Sequence, residues 1–334
     1  MATQSAALSD EQLSATRLEI DDPLAMPRLS VEKPCADLEP QIVGEYHLGK
    51  DQPRLWCCHC QGHRHHNGFV ITNSGGANYL IGSKCGPDHY GLSFKFAERE
   101  HKAKVKRKGV LDRLKGICET AEALKDTVHE ILHSEGLKLI DQKRGELIRA
   151  SDSAFSALAV SVRTESLLYE MVQVRDLERE RRRDEQLPPN ESGPPIYREE
   201  RMPIGRVAGT AILRETDDSR AKLLTFRRAL ERAQVLGKGL TDDHPIKVLM
   251  NAVRAVEEAY DAAQASIIEA ESAPAFFGPE NLGRLERWSA TNRYYRLTRE
   301  GADLIVTNQH SKRYVITPLP PIKLPRLPSM KGNA

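Results

Sequence analysis

Four side chains with the chemistry of zinc ligands lie in two close pairs along the chain. Cys57 and Cys60 are separated by two residues, as in a zinc knuckle, and Cys85 and His89 are four residues apart. The second spacing places both side chains on one face of a helical turn. A structural Zn²⁺ takes four tetrahedral sulfur or nitrogen ligands. The sequence therefore predicts one structural zinc site formed by Cys57, Cys60, Cys85 and His89.

The residues between the two pairs predict the elements that position the ligands. Residues 68–73 and 77–82 are rich in β-forming side chains, and the glycines between them indicate a turn. Pro87 suits the first turn of a helix, where its missing N–H would have no partner in any case. We therefore expect a β-hairpin followed by a helix. Cys58 is an additional thiol that either replaces Cys57 as a ligand or takes no part.

The order of knuckle, hairpin and ligand pair at a helix start resembles the treble-clef zinc fingers. The resemblance covers residues 54–97 and is at the level of the superfamily. It implies that Zn²⁺ has a structural role and that the four predicted ligands occupy the four ligand positions of these fingers. The extra thiol of Cys58 departs from the pattern.

A histidine-rich segment follows the knuckle. His63, His65 and His66 are expected to be solvated loop side chains, and the alternatives are a second metal site or a catalytic site. The HNH nucleases have a similar hairpin and helix, in which a histidine activates water and a metal polarises the phosphate. That resemblance would make His66 the base and Asn78 an orienting residue. No acidic residue stands beside His66 as a second metal ligand.

A basic cluster follows the predicted finger directly. The stretch 99–115 contains eight basic and two acidic residues. Such a cluster can neutralise nucleic-acid phosphates, and each contact releases counterions. The alternative is a solvated helix that joins two domains. The predicted phosphate-binding side chains are Arg99, Lys102, Lys104, Lys106, Arg107 and Lys108.

The composition favours long helices over a large β fold. Apolar residues make up 40% of the 334 residues, charged residues 29% and aromatic residues only 5%. The net charge of +2 does not mark a nucleic-acid binder, so local patches must supply that function. Neither an apolar run of about 18 residues nor a secretory signal is visible. We therefore expect a cytoplasmic protein without membrane contact, in which the six cysteines are thiols or metal ligands.

The predicted fold class is mainly α with a small β content. Apolar spacings of three, four and seven residues predict a coiled-coil helical hairpin after the finger, with a break at 133–136. A second helical block follows, with apolar stripes at 223–230 and 249–267, and three short strands in 293–317 predict an antiparallel meander. The seam of the second hairpin arm is expected to run through Ile148, Phe155, Val162 and Tyr169.

These patterns divide the chain into six predicted segments. They are a flexible arm at 1–40, a zinc-binding domain at 41–97, a basic helix with the coiled-coil hairpin at 98–186, a linker at 187–210, an α+β C-terminal domain at 211–317 and a Pro-rich basic tail at 318–334. The tail is expected to be an extended linker or strap, and the alternatives are further phosphate contacts or a ligand for a proline-reading domain.

The leading functional hypothesis is a non-enzymatic zinc protein that contacts DNA or RNA phosphates through the finger and the basic helix. Its helices would bind a protein partner or a second copy of the chain. The alternatives are a zinc-stapled helical scaffold and an HNH-like metal-dependent nuclease. The sequence contains no Gly-rich phosphate loop of the P-loop or dinucleotide type, which argues against nucleotide hydrolysis and dinucleotide redox chemistry, and it contains no Gly-x-Ser-x-Gly.

Overall fold

The structure, a computed structural model, describes residues 8–35, 39–62, 64–72, 75–165, 167–188, 191–214 and 217–330. The chain divides into two compact units. Unit 1 takes its described residues from 1–119 and 232–254, and unit 2 takes its residues from 120–231 and 255–330.

Most of the described residues between 92 and 271 are helical. None of these helices is long and apolar enough to cross a membrane. In chain order the elements are α1 (Asp10–Ala15), β1 (Gln41–His47), β2 (Leu55–Trp56), β3 (Arg64–His65), β4 (Asn67–Thr72), β5 (Asn78–Gly82), α2 (Cys85–Tyr90), α3 (Leu92–Leu132), α4 (Glu135–Ala150), α5 (Asp152–Glu165), β6 (Leu167–Arg175), α6 (Leu177–Asp184), β7 (Tyr197–Arg206), α7 (Asp217–Lys238), α8 (Ile246–Glu271), α9 (Pro279–Ser289), β8 (Tyr295–Glu300), β9 (Asp303–Asn308) and β10 (Arg313–Ile316).

Unit 1 contains a three-stranded antiparallel sheet in the order β1-β4-β5. Strands β4 and β5 form the predicted hairpin, with Thr72 opposite Asn78. Residues 73 and 74 of the predicted strand end and turn lie outside the described residues. Side chains alternate between the two faces of a sheet, and here both faces are buried. One face packs with the start of α3, and the other packs with Ile20 and Leu55.

The N-terminal segment packs on the sheet within unit 1 over residues 8–35, where the sequence predicts a flexible arm at 1–40, and residues 1–7 and 36–38 of that arm lie outside the described residues. The predicted cap of α1 is present, because Ser9 and Gln12 form a reciprocal capping box. Leu13, Leu18 and Ile20 are buried. The backbone around Leu18 and Ile20 also exchanges two hydrogen bonds with Glu45 of β1. The apolar side chains therefore hold this segment on the sheet despite its many prolines.

The helical hairpin predicted for 98–186 is correct in its first arm and wrong in its second. Helix α3 ends at Leu132, and the Ser134 side chain accepts a hydrogen bond from the Leu137 N–H to start α4. Two helices, α4 and α5, follow instead of one long arm, and residues 167–175 form strand β6. The seven-residue spacing from Val162 to Tyr169 therefore does not reflect a continuous helix, because Tyr169 lies on β6. The strand contains Tyr169, Val172 and Val174, whose side chains fit a pleated surface.

Part of the predicted linker at 187–210 is also a strand. Residues 197–206 form β7, which pairs along its length with β6 in an antiparallel ribbon. Most side chains of β7 are exposed. A ribbon of two strands is marginally stable in water by itself. In unit 2 the ribbon contacts α5 and α9.

The second helical block and the C-terminal meander follow the predictions. Leu223, Phe226 and Leu230 are buried along α7, and the predicted stripe of α8 is buried from Leu249 to Ile267 except at Tyr260, which is half-buried. In unit 2 the two helices meet where Phe226 packs edge-on against Tyr260, with ring centroids 5.5 Å apart. Strands β8, β9 and β10 form an antiparallel sheet in the order β10-β9-β8.

The Pro-rich tail is an extended strap of unit 2 through residue 330. Leu319, Leu324 and Leu327 are buried. The Leu324 N–H donates to the Glu271 carboxylate at 2.9 Å, and the Arg326 guanidinium contacts the same carboxylate at 2.6 Å. Alternating prolines keep the chain extended, so its leucines can reach one apolar surface.

Candidate metal centre

Short local elements of unit 1 position three cysteines around one point. Strand β2 ends one residue before Cys57, and a turn leads to Cys60. Strand β5 ends at Gly82, and α2 begins at Cys85 as predicted. Gly86 lets α2 pack closely on α3, because a Cβ at this position would lie 2.3 Å from the Phe94 ring.

The sulfur atoms of Cys57, Cys60 and Cys85 all lie within 4.8 Å of one another. Cys60 Sγ and Cys85 Sγ are 3.7 Å apart, much farther than the roughly 2.05 Å of a disulfide. Zinc–sulfur bonds of about 2.3 Å at tetrahedral angles place two sulfurs roughly 3.8 Å apart. The observed distance therefore fits the edge of a zinc tetrahedron, and the three thiols form a group that can hold a metal ion.

The surroundings of Cys57 and Cys85 shift the pKa values of the two thiols in opposite directions. Burial raises the pKa of Cys57, but backbone N–H donors from Gly82, Cys60 and His59 outweigh burial and lower that pKa overall. Burial, followed by the neighbouring sulfurs of Cys60 and Cys57, raises the pKa of Cys85 to about 12. The thiolate form of Cys57 is therefore stabilised, and its negative charge disfavours a second thiolate at Cys85. A bound cation removes this repulsion, since metals bind cysteine as the thiolate.

Cys58 lies apart from this group. Its sulfur does not belong to the group of three, although its side chain, like that of Cys57, is buried in the apolar cluster that contains Phe69 and Phe94. Burial and the neighbouring Cys57 raise the pKa of Cys58 to about 12. A protonated thiol in an apolar core behaves as a small hydrophobic side chain. Of the two alternatives left open by the sequence, the structure places Cys57 with the other two sulfurs.

Two histidines adjoin the cysteine group. His89, the predicted fourth ligand, contacts the Pro34 carbonyl oxygen through Nε2 at 3.2 Å. Its ring lies 4.0 Å from the ring of His59, measured between centroids, and His59 Nδ1 is buried without a hydrogen-bond partner in the described residues. Neither ring has a nitrogen within 4.8 Å of all three sulfurs. His59 stands between the knuckle cysteines but is not one of the predicted ligands.

The other histidines of this region have different surroundings. His65 Nδ1 lies 3.1 Å from the Tyr46 hydroxyl, and burial lowers the His65 pKa. The Asn78 amide donates to the Pro27 carbonyl at 2.7 Å, so it anchors the N-terminal segment. His63 lies outside the described residues. Among the residues that the structure does describe, the cysteine cluster is the only group of three or more potential metal ligands, so no acidic cluster supports a catalytic metal at His66.

The six predicted phosphate-binding residues all lie on α3, but they divide between its two sides. Arg99, Lys102 and Lys106 are exposed at spacings of three and four residues, and Lys95 extends the same stripe by one turn. We call Lys95, Arg99, Lys102 and Lys106 the α3 outer face. Lys104 and Lys108 are half-buried, and they share the side of the helix that carries the buried His101.

Arg107 and Lys108 are engaged within unit 1. The Arg107 guanidinium makes two contacts with the Asp10 carboxylate and also donates to the carbonyls of Asp242 and His244. The hydrogen bonds and the charge of Asp10 raise the pKa of Arg107. Lys108 donates to the Ser14 carbonyl and lies 3.3 Å from the Asp112 carboxylate. Sequence reasoning could not identify these partners, because Asp10 and Ser14 are distant along the chain.

The comparisons with known proteins identify no relative. No protein-family model, no curated protein and no solved structure matches this chain. The functional assignment therefore rests on the site geometry and on the surface chemistry of unit 1.

Proposed function

We propose that this chain is a non-enzymatic zinc protein that binds the phosphates of nucleic acid through the α3 outer face. Its Zn²⁺ is structural and belongs to a finger of the treble-clef type. The observation that supports the proposal best is the position of the α3 outer face. It begins one short helix after Cys85, so the metal centre anchors the helix that presents the cations.

For the zinc centre we assign Cys57, Cys60 and Cys85 as three ligands and His89 as the fourth. A ligand histidine usually donates its second ring N–H to a backbone carbonyl or a carboxylate. The contact of His89 Nε2 with the Pro34 carbonyl is of this kind, and it leaves Nδ1 for the metal. His59 is the alternative fourth ligand, because its buried Nδ1 has no partner in the described residues.

For phosphate binding we assign the exposed cations of the α3 outer face. Within the described residues, only Lys102 of this face has a recorded ion pair, with Glu98 at 2.6 Å. Exposed ion pairs of this type contribute only about 0–1 kcal/mol, so a phosphate can displace Glu98 at little cost. Arg107 and Lys108 act instead as structural residues of unit 1, and Lys104 lies at the edge of the binding surface.

The test is nucleic-acid binding of the zinc-loaded full chain across a salt series, measured by fluorescence anisotropy. The variant replaces Arg99, Lys102 and Lys106 with Glu. Its matched control replaces Arg179, Arg181 and Arg182 with Glu, which gives the same charge change on the exposed helix α6. Two residues of that control are in i,i+4 ion pairs, because Arg182 contacts Glu178, as Lys102 contacts Glu98, and Arg181 lies 3.8 Å from Glu185.

We expect wild-type affinity to fall steeply between about 50 and 200 mM salt, because phosphate contacts release counterions. The α3 variant should lose at least about tenfold in affinity, and its salt slope should decrease by roughly 2–3. The α6 control should retain wild-type binding. Equal affinities of the α3 variant and wild type would rule out the proposed surface.

The β6–β7 ribbon supports a second candidate function, a zinc-stapled protein scaffold. The ribbon exposes Met171, Tyr197 and Met202, and a largely exposed two-stranded ribbon is marginal by itself. A protein partner or a second copy of the chain would cover it. The same experiment separates the two candidates. Absence of nucleic-acid binding at low salt, together with a stable dimer in sedimentation, would favour the scaffold.

A further inference from the structure

The first two turns of α3 expose apolar side chains beside the cations. Leu92 is 83% exposed and Phe96 is 60% exposed, and they are four residues apart on the helix. The opposite side of the same turns is anchored, because Phe94 is fully buried and packs edge-on against Phe69 at 5.7 Å. The outward direction of Phe96 is therefore a consequence of the packing that seats α3 on the sheet.

The helix geometry places Phe96 next to the α3 outer face. Residues three and four apart are neighbours on a helix surface, so Phe96 adjoins both Leu92 and Arg99. Lys95 and Arg99 are exposed, and no ion pair is recorded for either of them among the described residues. The exposed aromatic ring therefore has cations along one side, at Lys95 and Arg99, and the exposed carboxylate of Glu100 four residues further along the helix.

This combination discriminates between forms of nucleic acid. A duplex presents its phosphates to a basic helix, but its base faces are covered by stacking. An exposed aromatic ring therefore gains little from a duplex. A single strand presents both phosphates and unstacked base faces, and stacking on aromatic side chains is sequence-tolerant because every base has a π face. An aromatic ring beside cations fits the single strand better.

We infer that the α3 outer face binds single-stranded nucleic acid, with a base stacked on Phe96 and the flanking phosphates on Lys95 and Arg99. This inference rests on the proposed function, and it specifies the class of nucleic acid. Leu92 extends the apolar surface on which the base or its sugar lies. The shared chemistry, an unstacked base joined to phosphates, is found in both single-stranded DNA and single-stranded RNA.

The experiment compares four labelled probes of about 20 nucleotides, longer than the ~4–16 nucleotides of one small single-strand site. They are single-stranded DNA, single-stranded RNA and the two corresponding duplexes, and each is titrated with zinc-loaded full chain at constant salt. The variants are Phe96→Ala and Phe96→Tyr, which keeps a stacking ring. The matched control is Tyr294→Ala, because Tyr294 is an aromatic residue of unit 2 with a similar exposure of 64%.

Wild type should prefer at least one of the single strands to its duplex, and the two single-stranded probes report whether the sugar matters. Phe96→Ala should weaken single-strand binding by about 5- to 150-fold, the range for loss of one base–aromatic stack. Its duplex binding should not change. Phe96→Tyr and Tyr294→Ala should bind single strands like wild type.

The failures of the two proposals are distinguishable. If Phe96→Ala binds single strands as tightly as wild type, or if duplexes bind as tightly as single strands, the inference is overturned. Salt-dependent binding that requires Arg99, Lys102 and Lys106 would still uphold the proposed function. If none of the probes binds at low salt, both proposals fail.

Discussion

At the scale of single residues, the neighbouring side chains Cys57 and Cys58 have opposite roles. Cys57 lies with the other two sulfurs, and backbone N–H groups lower its pKa overall. Cys58 lies in the apolar core, and burial raises its pKa to about 12. Both side chains are buried in the same apolar cluster, so burial alone does not distinguish them. The distances to the sulfurs of Cys60 and Cys85 separate the candidate metal ligand from the core thiol.

The residue-scale prediction concerns the metal content of two Cys→Ser variants. Cys85→Ser should lower Zn²⁺ affinity by more than the ~10–100-fold that is typical of outer-shell changes, because a thiolate ligand is lost. Cys58→Ser makes the same chemical change in the core, and it should retain one Zn²⁺ per chain with a modest loss of stability. Chelator competition measures affinity, and native mass spectrometry measures stoichiometry. If both variants lose the metal equally, the assignment of Cys57 over Cys58 is wrong.

At the scale of elements, α3 combines two kinds of cation. The α3 outer face is solvated, whereas the Arg107 side chain connects α3 to Asp10 of α1 and to the carbonyls of the 242–244 segment. All of these residues belong to unit 1. The Asp10 carboxylate is largely buried. Among the described residues, Arg107 is the only charged side chain that donates a hydrogen bond to it.

The element-scale prediction compares the stabilities of two Arg→Ala variants of α3. Arg107→Ala should lower the free energy of unfolding of unit 1 by roughly 1–3 kcal/mol, because it leaves a poorly solvated carboxylate and two carbonyls without their donor. Arg99→Ala removes the same side chain from a solvated position, and its effect should stay within about 0.5 kcal/mol. Urea unfolding followed by circular dichroism provides both values. Equal stabilities of the two variants would contradict the structural role of Arg107.

At the scale of the whole molecule, each unit contains one tryptophan. Trp56 is an exposed residue of β2 next to Cys57 in unit 1. Trp288 lies on α9 in unit 2, where it stacks on Tyr295 with ring centroids 5.5 Å apart. Helices α3, α7 and α8 contribute residues to both units. The two tryptophans can therefore report separately on units that share continuous helices.

The whole-molecule prediction concerns the removal of Zn²⁺. Zinc contributes about 10–16 kcal/mol of apparent binding free energy to small zinc-finger peptides, so chelation should destabilise unit 1 first. In Trp288→Phe, where Trp56 is the reporter, chelator should lower the thermal midpoint of the fluorescence change. In Trp56→Phe, where Trp288 is the reporter, the midpoint should hardly change. If both midpoints fall together, the metal stabilises the whole chain as one cooperative unit.

Local physical chemistry made several features predictable from the sequence. The capping box at Ser9, the helix break before Ser134 and the start of α2 at Cys85 depend on residues within one helical turn. The apolar stripes of α7 and α8 follow from the helical period alone. The two-residue gap between Cys57 and Cys60 likewise indicated a metal-binding group before any fold was known.

Only the tertiary structure decided the features that depend on residues far apart in the chain. Strand β6 forms where a helical spacing predicts helix, because β7 pairs with it from more than twenty residues away. Arg107 differs from Arg99 because Asp10 reaches it across almost a hundred residues. Phe96 is exposed because Phe94 occupies the core. Periodicity and composition report only on residues that are close along the chain. Burial, strand pairing and the formation of ion pairs depend on residues that are distant in sequence and become neighbours only when the chain folds.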